Sequence, residues 1–141
     1  MALSAARVQK RQNNPMLVSV KMAASTSIYQ GGGVMFNSSG LAVPAADTAS
    51  CTRLGVAMET KTSASTGDYY ISVAVSGVFN FKAAAAAAAT WHGLPVFWSD
   101  DETVALAATT SHDILAGVCV SVNSATDVDV MLLQTSPTAA N

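Results

Sequence analysis

Large apolar residues alternate with small or polar ones along much of this chain. The longest such run is residues 68–81, DYYISVAVSGVFNF. Tyr69, Ile71, Val73, Val75, Gly77, Phe79 and Phe81 fall on one side, and Tyr70, Ser72, Ala74, Ser76, Val78 and Asn80 on the other. A period of two marks a strand with one buried face, because successive side chains point to opposite sides of a sheet. Strands average about five or six residues, so this stretch should bend or break at Gly77, where a bulge costs least. Its aromatic face needs a second sheet to cover it.

The rest of the chain reads in the same way. Residues 16–22 alternate, with Met16, Val18, Val20 and Met22 opposite Leu17, Ser19 and Lys21, and make a first strand. Gly31-Gly32-Gly33 leads into Val34-Met35-Phe36, the turn Asn37-Ser38-Ser39-Gly40 and Leu41-Ala42-Val43-Pro44, a short hairpin by its turn chemistry. Residues 53–59 place Leu54, Val56 and Met58 inward and Arg53, Gly55, Ala57 and Glu59 outward. Residues 95–98 and 103–106 form a second hairpin about the acidic turn 99–102. Ile114, Ala116, Val118, Val120 and Val122 share a face of the next strand, and Val128, Val130 and Leu132 close the pattern. Seven alanines at 83–89 interrupt it. Alanine is the best helix former, but so short a helix is marginal alone. One or two helical turns packed on the body, or an irregular connector, are expected there.

The two halves repeat. Gly32-Gly33-Val34-Met35-Phe36 matches Gly93-Leu94-Pro95-Val96-Phe97 at a spacing of 61, and Arg53-Leu54-Gly55-Val56-Ala57 matches Leu115-Ala116-Gly117-Val118-Cys119 at 62. Two copies of a β-unit that cannot cover its own face would close into a barrel or sandwich. The expected fold is all-β. It is a compact β-barrel/sandwich built from two similar β-units, with an extended N-terminal arm and a short alanine-rich helical connector. The boundaries are an arm at 1–15, a β-domain at 16–134 and a polar tail at 135–141.

Composition sharpens this picture. Half of the 141 residues are apolar and only 11% are charged, about half the usual share, which suits a β-protein with much of its surface against something other than water. The net charge of −2 hides an asymmetry. Residues 1–21 carry Arg7, Lys10, Arg11 and Lys21 with no acid, while the remainder sets three bases against nine acids. A basic arm on an acidic body suggests a docking segment. The arm lacks apolar periodicity and ends in Asn13-Asn14-Pro15, so alone it should be mobile. It has no apolar core of a secretory signal, and no run approaches the roughly 20 apolar residues that span a bilayer. A soluble protein with no membrane partner is expected. Cys51 and Cys119 form no CxxC pair and read as two buried reduced thiols, with a disulfide left open.

Little here points to chemistry. Ser111-His112-Asp113 has the residue types of a triad, but sequence neighbours do not converge into the required relay. Asp100-Asp101-Glu102 could suggest paired carboxylates or a metal, yet between Trp98 and Val104 it reads as a solvated turn. His92 and His112 lack ligand spacing with each other or with a cysteine. Gly31–Gly33 has no phosphate-loop context. Four basic charges without interleaved aromatics make nucleic acid a weak partner. No enzyme activity, cofactor or metal is expected. Among the aromatics outside the long strand, alternation puts Phe97 and Trp98 on opposite faces, one in the core and one at a surface. The candidates for protein contact are Arg7, Lys10 and Arg11 of the arm together with Tyr29, Trp91 and Trp98.

The order G-x-V-x-F, Leu54-Gly55-Val56-Ala57-Met58-Glu59-Thr60, then Gly67-Asp68 with Val73, Ser76-Gly77-Val78-Phe79 and Lys82 resembles the capsid decoration (cement) proteins of tailed bacteriophages. Gly93-x-x-Val96-Phe97-Trp98-x-Asp100 and Ala116-Gly117-Val118, followed by an Asp-Val-Asp-Val strand, continue the resemblance, which covers about residues 16–134. The basic N-terminal extension and the alanine run depart from it. The resemblance implies a β-barrel-like homotrimer on the outer surface of a virion, made in the host cytoplasm and clamping neighbouring major capsid subunits. A reading from another class is a β-sandwich binding module, such as a glycan-binding head fibre, which would gather exposed aromatics and acids on one outward face.

Overall fold

A computed structural model of the chain describes residues 15–132. Arg7, Lys10 and Arg11 of the basic arm, and the polar tail, lie outside the described residues. The first half contains β1 (Leu17–Lys21), β2 (Ser27–Ile28), β3 (Gly33–Phe36), β4 (Ala42–Pro44), β5 (Thr52–Ala57), β6 (Lys61–Thr62) and β7 (Tyr70–Ala74). The second contains β8 (Val78–Ala83), β9 (Pro95–Trp98), β10 (Thr103–Ala105), β11 (Leu115–Ser124) and β12 (Asp127–Met131). Among the described residues the only helical pieces are two 3-10 turns, Ala89–Trp91 and Ala107–Thr109.

The fold is all-β and duplicated. The first sheet runs β1-β7-β5-β3-β4, and the second runs β8-β12-β11-β9-β10 and closes into a barrel where β10 returns parallel to β8. Strand for strand the two orders are the same. A lone parallel bridge between Met22 and Ala42 stands in the first unit where the β10–β8 pairing closes the second. β2 and β6 form a separate small ladder.

The backbone hydrogen bonds repeat with the topology. Gly31 N–H donates to the Ala57 carbonyl at 2.8 Å, and Gly93 N–H to the Cys119 carbonyl at 2.8 Å. Gly32 N–H donates to Tyr29 and Leu94 N–H to Trp91, both at 3.0 Å. Gly31 and Gly93 both hold positive φ, 88° and 82°, a conformation that glycine adopts without steric cost. These pairs all stand 62 positions apart. The spacing of 61 read from the first sequence block is therefore corrected: Phe36 corresponds to Trp98, not to Phe97.

Each unit fills its own interior. Val34, Ala42, Ala57, Ile71 and Val73 line the first, and Val96, Val104, Cys119, Val128 and Val130 occupy the matching places in the second. The second unit therefore closes on itself, and the first curls to the single Met22–Ala42 bridge, rather than the two closing on each other. The long alternating segment is the joint. It breaks at Gly77 (φ 109°), so that β7 ends the first unit and β8 begins the second. Ile71, Val73 and Phe81 are buried as the alternation requires.

Trp98 locks the joint. Its ring stands edge-on to Phe81, with centroids 4.9 Å apart, and lies 2.5–2.7 Å from where a Cβ on Gly33 would be. Met35, Ala45 and Val56 of the first unit extend the second unit's core. This is why Val56 and Ala57, neighbours on β5, are both buried: Ala57 faces its own unit's core and Val56 the neighbouring unit. The outward assignment of Ala57 fails because β5 is covered on both sides.

β11 departs from simple alternation. Bulges between Leu115 and Gly117, and between Cys119 and Ser121, each insert a residue and flip the facing of the residues beyond them. Ala116 and Cys119 point into the core and Val122 packs against it, while Val118 is half-buried and Val120 exposed. The alanine run takes the irregular form. Ala83 ends β8, Ala87 is buried with its N–H on the Ala125 carbonyl, and one 3-10 turn ends at Trp91.

Candidate contact surfaces

Tyr29 and Trp91 occupy corresponding places in the two units, each with its carbonyl accepting from the residue three positions on. Their surroundings differ. Tyr29 follows the short β2 and is 60% exposed, whereas Trp91 ends the 3-10 turn and is buried within the second unit's core. Trp98 is buried at the joint. The core needs both indoles as filling, so neither ring is available to a partner, and of the aromatic candidates only Tyr29 presents its side chain outward.

The exposed apolar surface lies mainly elsewhere. Leu17 and Val18 are exposed on β1, an edge strand of the first sheet, and Met16 just before it. Val78, Val120 and Met131 are exposed on the outside of the second barrel, and Leu94 beside it. The alternation of residues 16–22 predicts a buried side for β1, but at an edge only Met22 is fully buried. The one signal in the sequence for these positions is the presence of large apolar residues where a two-period pattern calls for small or polar ones, as at Leu17 and Val78.

The candidate catalytic residues turn out to be fastenings. His112 Nδ1 lies 3.0 Å from Asp47 Oδ1, and Asp47 also accepts the backbone N–H groups of Ser111 and His112 at 2.7 Å each. Those bonds, that from Ser111 foremost, hold the Asp47 carboxyl below its ordinary range. Asp113 takes the Thr110 hydroxyl instead. The Ser-His-Asp run therefore ties the second unit to the loop after β4. His92 is a fastening too, its Nε2 accepting the Val122 N–H at 3.0 Å.

The acidic turn is built into the joint. Asp100 Oδ1 caps the Glu102 N–H, Glu102 pairs with Lys82 at 3.2 Å, and the Asp101 carbonyl accepts the Gly33 N–H at 2.7 Å. Partial burial, then the neighbouring Asp100 charge, pushes the Asp101 carboxyl upward. The turn is thus less solvated than its sequence implies. Among the described residues no group of three or more His, Cys, Asp or Glu is placed to hold a metal ion. Cys51 and Cys119 are free thiols, the second buried and its pKa raised by that burial. Among the described residues no helix is long and apolar enough to cross a membrane.

What remains is a five-stranded sheet joined to a closed barrel, whose described polar candidates serve its own architecture and whose large exposed side chains include apolar strand residues, Tyr29 and Tyr70. No curated protein and no solved structure matches the chain. Residues 12–134, most of its length, match the family model described as phage cement protein. The chain therefore belongs to the phage cement protein family, a family of capsid-associated structural proteins rather than enzymes.

Proposed function

We propose that this protein sits on the outer surface of a phage capsid as a homotrimer, made in the host cytoplasm, and stabilises the shell by clamping neighbouring major capsid subunits. The observation that carries the reading is the route of the chain into β1. The basic segment with Arg7, Lys10 and Arg11 leads through exposed Met16 into an edge strand that exposes Leu17 and Val18. An edge strand offers unpaired backbone groups to another chain, and the arm adds charge-assisted contacts. The boundary near residue 15 then separates a docking arm from a folded clamp, and Tyr29 adds an exposed aromatic anchor. Many weak symmetry-related contacts act together through effective concentration. The sugar-binding alternative needs aromatics gathered on an outward face, and both tryptophans are core residues.

The test is co-sedimentation with purified capsids at low and high salt, full length against a variant lacking residues 1–14. The truncated chain should stay folded, bind more weakly and lose salt sensitivity, because screened Lys and Arg contacts are gone. Unchanged affinity and salt slope would remove the arm from the docking surface.

A further inference from the structure

The duplication allows one unit to be compared with the other, and the comparison isolates a surface. On the outside of the second barrel a row of cross-strand partners crosses four strands: Pro95 on β9, Val118 on β11, Met131 on β12 and Val78 on β8. The corresponding row of the first unit is Gly33 on β3, Val56 on β5, Ala74 on β7 and Leu17 on β1. The two rows differ over three of their four positions, Leu17 at the end of the first being 52% exposed. Gly33, Val56 and Ala74 are all buried, with Trp98 of the second unit lying across Gly33 and Val56 joining the second unit's core. Val78 and Met131 are 48% and 39% exposed, and Val120 on the same side is 42% exposed. The row holds no charge and no hydrogen-bonding side chain. Contiguous exposed apolar surface is characteristic of interaction sites.

We propose that this row is the surface through which one copy of the chain associates with another, the first unit of a second copy seating where no unit of the same chain does. A unit of this fold already covers Gly33, Val56 and Ala74 of the equivalent row within the chain, so the complementary shape is present in every copy. The element that covers Gly33 is the β9–β10 hairpin with Trp98 at its base. Its counterpart is the β3–β4 hairpin, with half-buried Phe36 at its base and Ser38, Ser39 and Gly40 exposed at its tip. Pro95 has no N–H to repeat the Gly33–Asp101 bond, so the contact between chains rests on apolar burial. Repeated head to tail, such contacts form a ring where the rotation closes. The proposal shares with the capsid-clamp reading only the premise that the chain self-associates; it does not need the capsid.

Sedimentation velocity on the full chain without capsids tests it, using wild type, Val78→Glu/Met131→Glu, Val120→Glu and Tyr70→Glu. Tyr70 is exposed but lies on the first sheet, away from the row. Wild type and Tyr70→Glu should show the same concentration-dependent association. The other two should weaken it about tenfold or more while keeping wild-type circular dichroism. A wild type that stays monomeric through the micromolar range, or row variants that associate like wild type, would overturn the proposal. Capsid co-sedimentation of the same variants separates the two readings. Loss of association with capsid binding retained supports the row as a self-contact, whereas loss of capsid binding with association intact assigns it to the shell and overturns the self-contact.

Discussion

Gly55 and Gly117 are the most demanding residues of the two units, and replacing either with alanine tests the duplication directly. A Cβ on Gly117 would press into the Met131 carbonyl oxygen and lie 2.9 Å from Val130 Cγ1. A Cβ on Gly55 would meet the Ala74 carbonyl oxygen and lie 3.1 Å from Val73 Cγ1. Neither glycine has a positive φ, so space alone is at issue. Carbon and oxygen rest about 3.3–3.6 Å apart, so β11 and β12 would have to part by roughly an ångström. Overpacking of this kind costs about 1–3 kcal/mol when side chains can yield. Here the obstacle is backbone, and parting the strands also weakens ladder bonds worth about 0.5–1.5 kcal/mol each. The stiffer unfolded chain returns about 0.4–1 kcal/mol. A net loss of about 3 kcal/mol follows, or about 12 °C in Tm for a domain of this size.

The assay is thermal and urea unfolding of Gly55→Ala, Gly117→Ala and Gly40→Ala. Gly40 sits at φ 77° with nothing within 4 Å of a new Cβ, so its variant should lose only the left-handed backbone cost of about 1 kcal/mol. A Gly117→Ala shift under about 2 °C would mean that β11 and β12 do not approach as described. A large effect at one glycine and none at the other would refute the equivalence of the two units.

Three further outcomes follow from the same structure. Trp98→Ala should lose about 3–5 kcal/mol, because it empties the joint against Phe81 and Gly33, and urea midpoints measure it. Val73→Asp should prevent soluble folding by burying an unpaired charge, whereas Tyr70→Asp, at an exposed place on the same strand, should express normally. Asp47 has a folded-state pKa below the ordinary aspartate value of 3.8. Its contacts therefore add stability at neutral pH, which starts to fall as pH drops past 3.8 and is lost through the folded value. Asp47→Asn should lower the melting temperature near pH 7 and flatten its decline toward about pH 3; parallel melting curves for the two proteins would discount the latch.

The sequence revealed the strands more fully than their surroundings. Turn chemistry located both hairpins, and alternation found the buried Ile71, Val73 and Phe81. What it could not reveal was long-range contact. The bulges of β11 arise where that strand meets β9 and β12, and no local pattern announces that Val118 and Val120 turn outward while Cys119 turns in. Val56 and Ala57 fail for a related reason, since a strand covered on both sides has no polar face to mark its period. The tryptophans misled because large aromatics are common both in cores and at interfaces. Only the packing of Trp98 on a bare glycine decides between those roles. The repeat itself was visible, but its spacing slipped by one position at the first hairpin, which is enough to pair Phe36 with the wrong aromatic.

The two units also bear on how a capsid-associated structural protein can act. If each unit were fully covered, the chain would be a closed globule with little to offer a partner. If both outer rows were open, it would associate without limit. The duplication produces an intermediate case. One row is covered by the neighbouring unit except at Leu17, and the units are tied through Trp98, Asp101 and the Asp47–His112 latch. The second row, on the outer face of the barrel, and the β1 edge of the first sheet remain open, two surfaces on two different sheets that adjoin where Met16 bonds to Val75 and Ser76. A clamp needs two distinct contact surfaces. Tension between two attached neighbours is carried through the body only if the attachments are distinct and the body between them does not yield. Weakening the joint should therefore impair capsid stabilisation even where both contact surfaces are unaltered. A mild joint variant such as Asp47→Asn would show this as capsids that still carry the protein but open at lower temperature. Full protection by that variant would mean that contact area alone, and not rigidity, stabilises the shell.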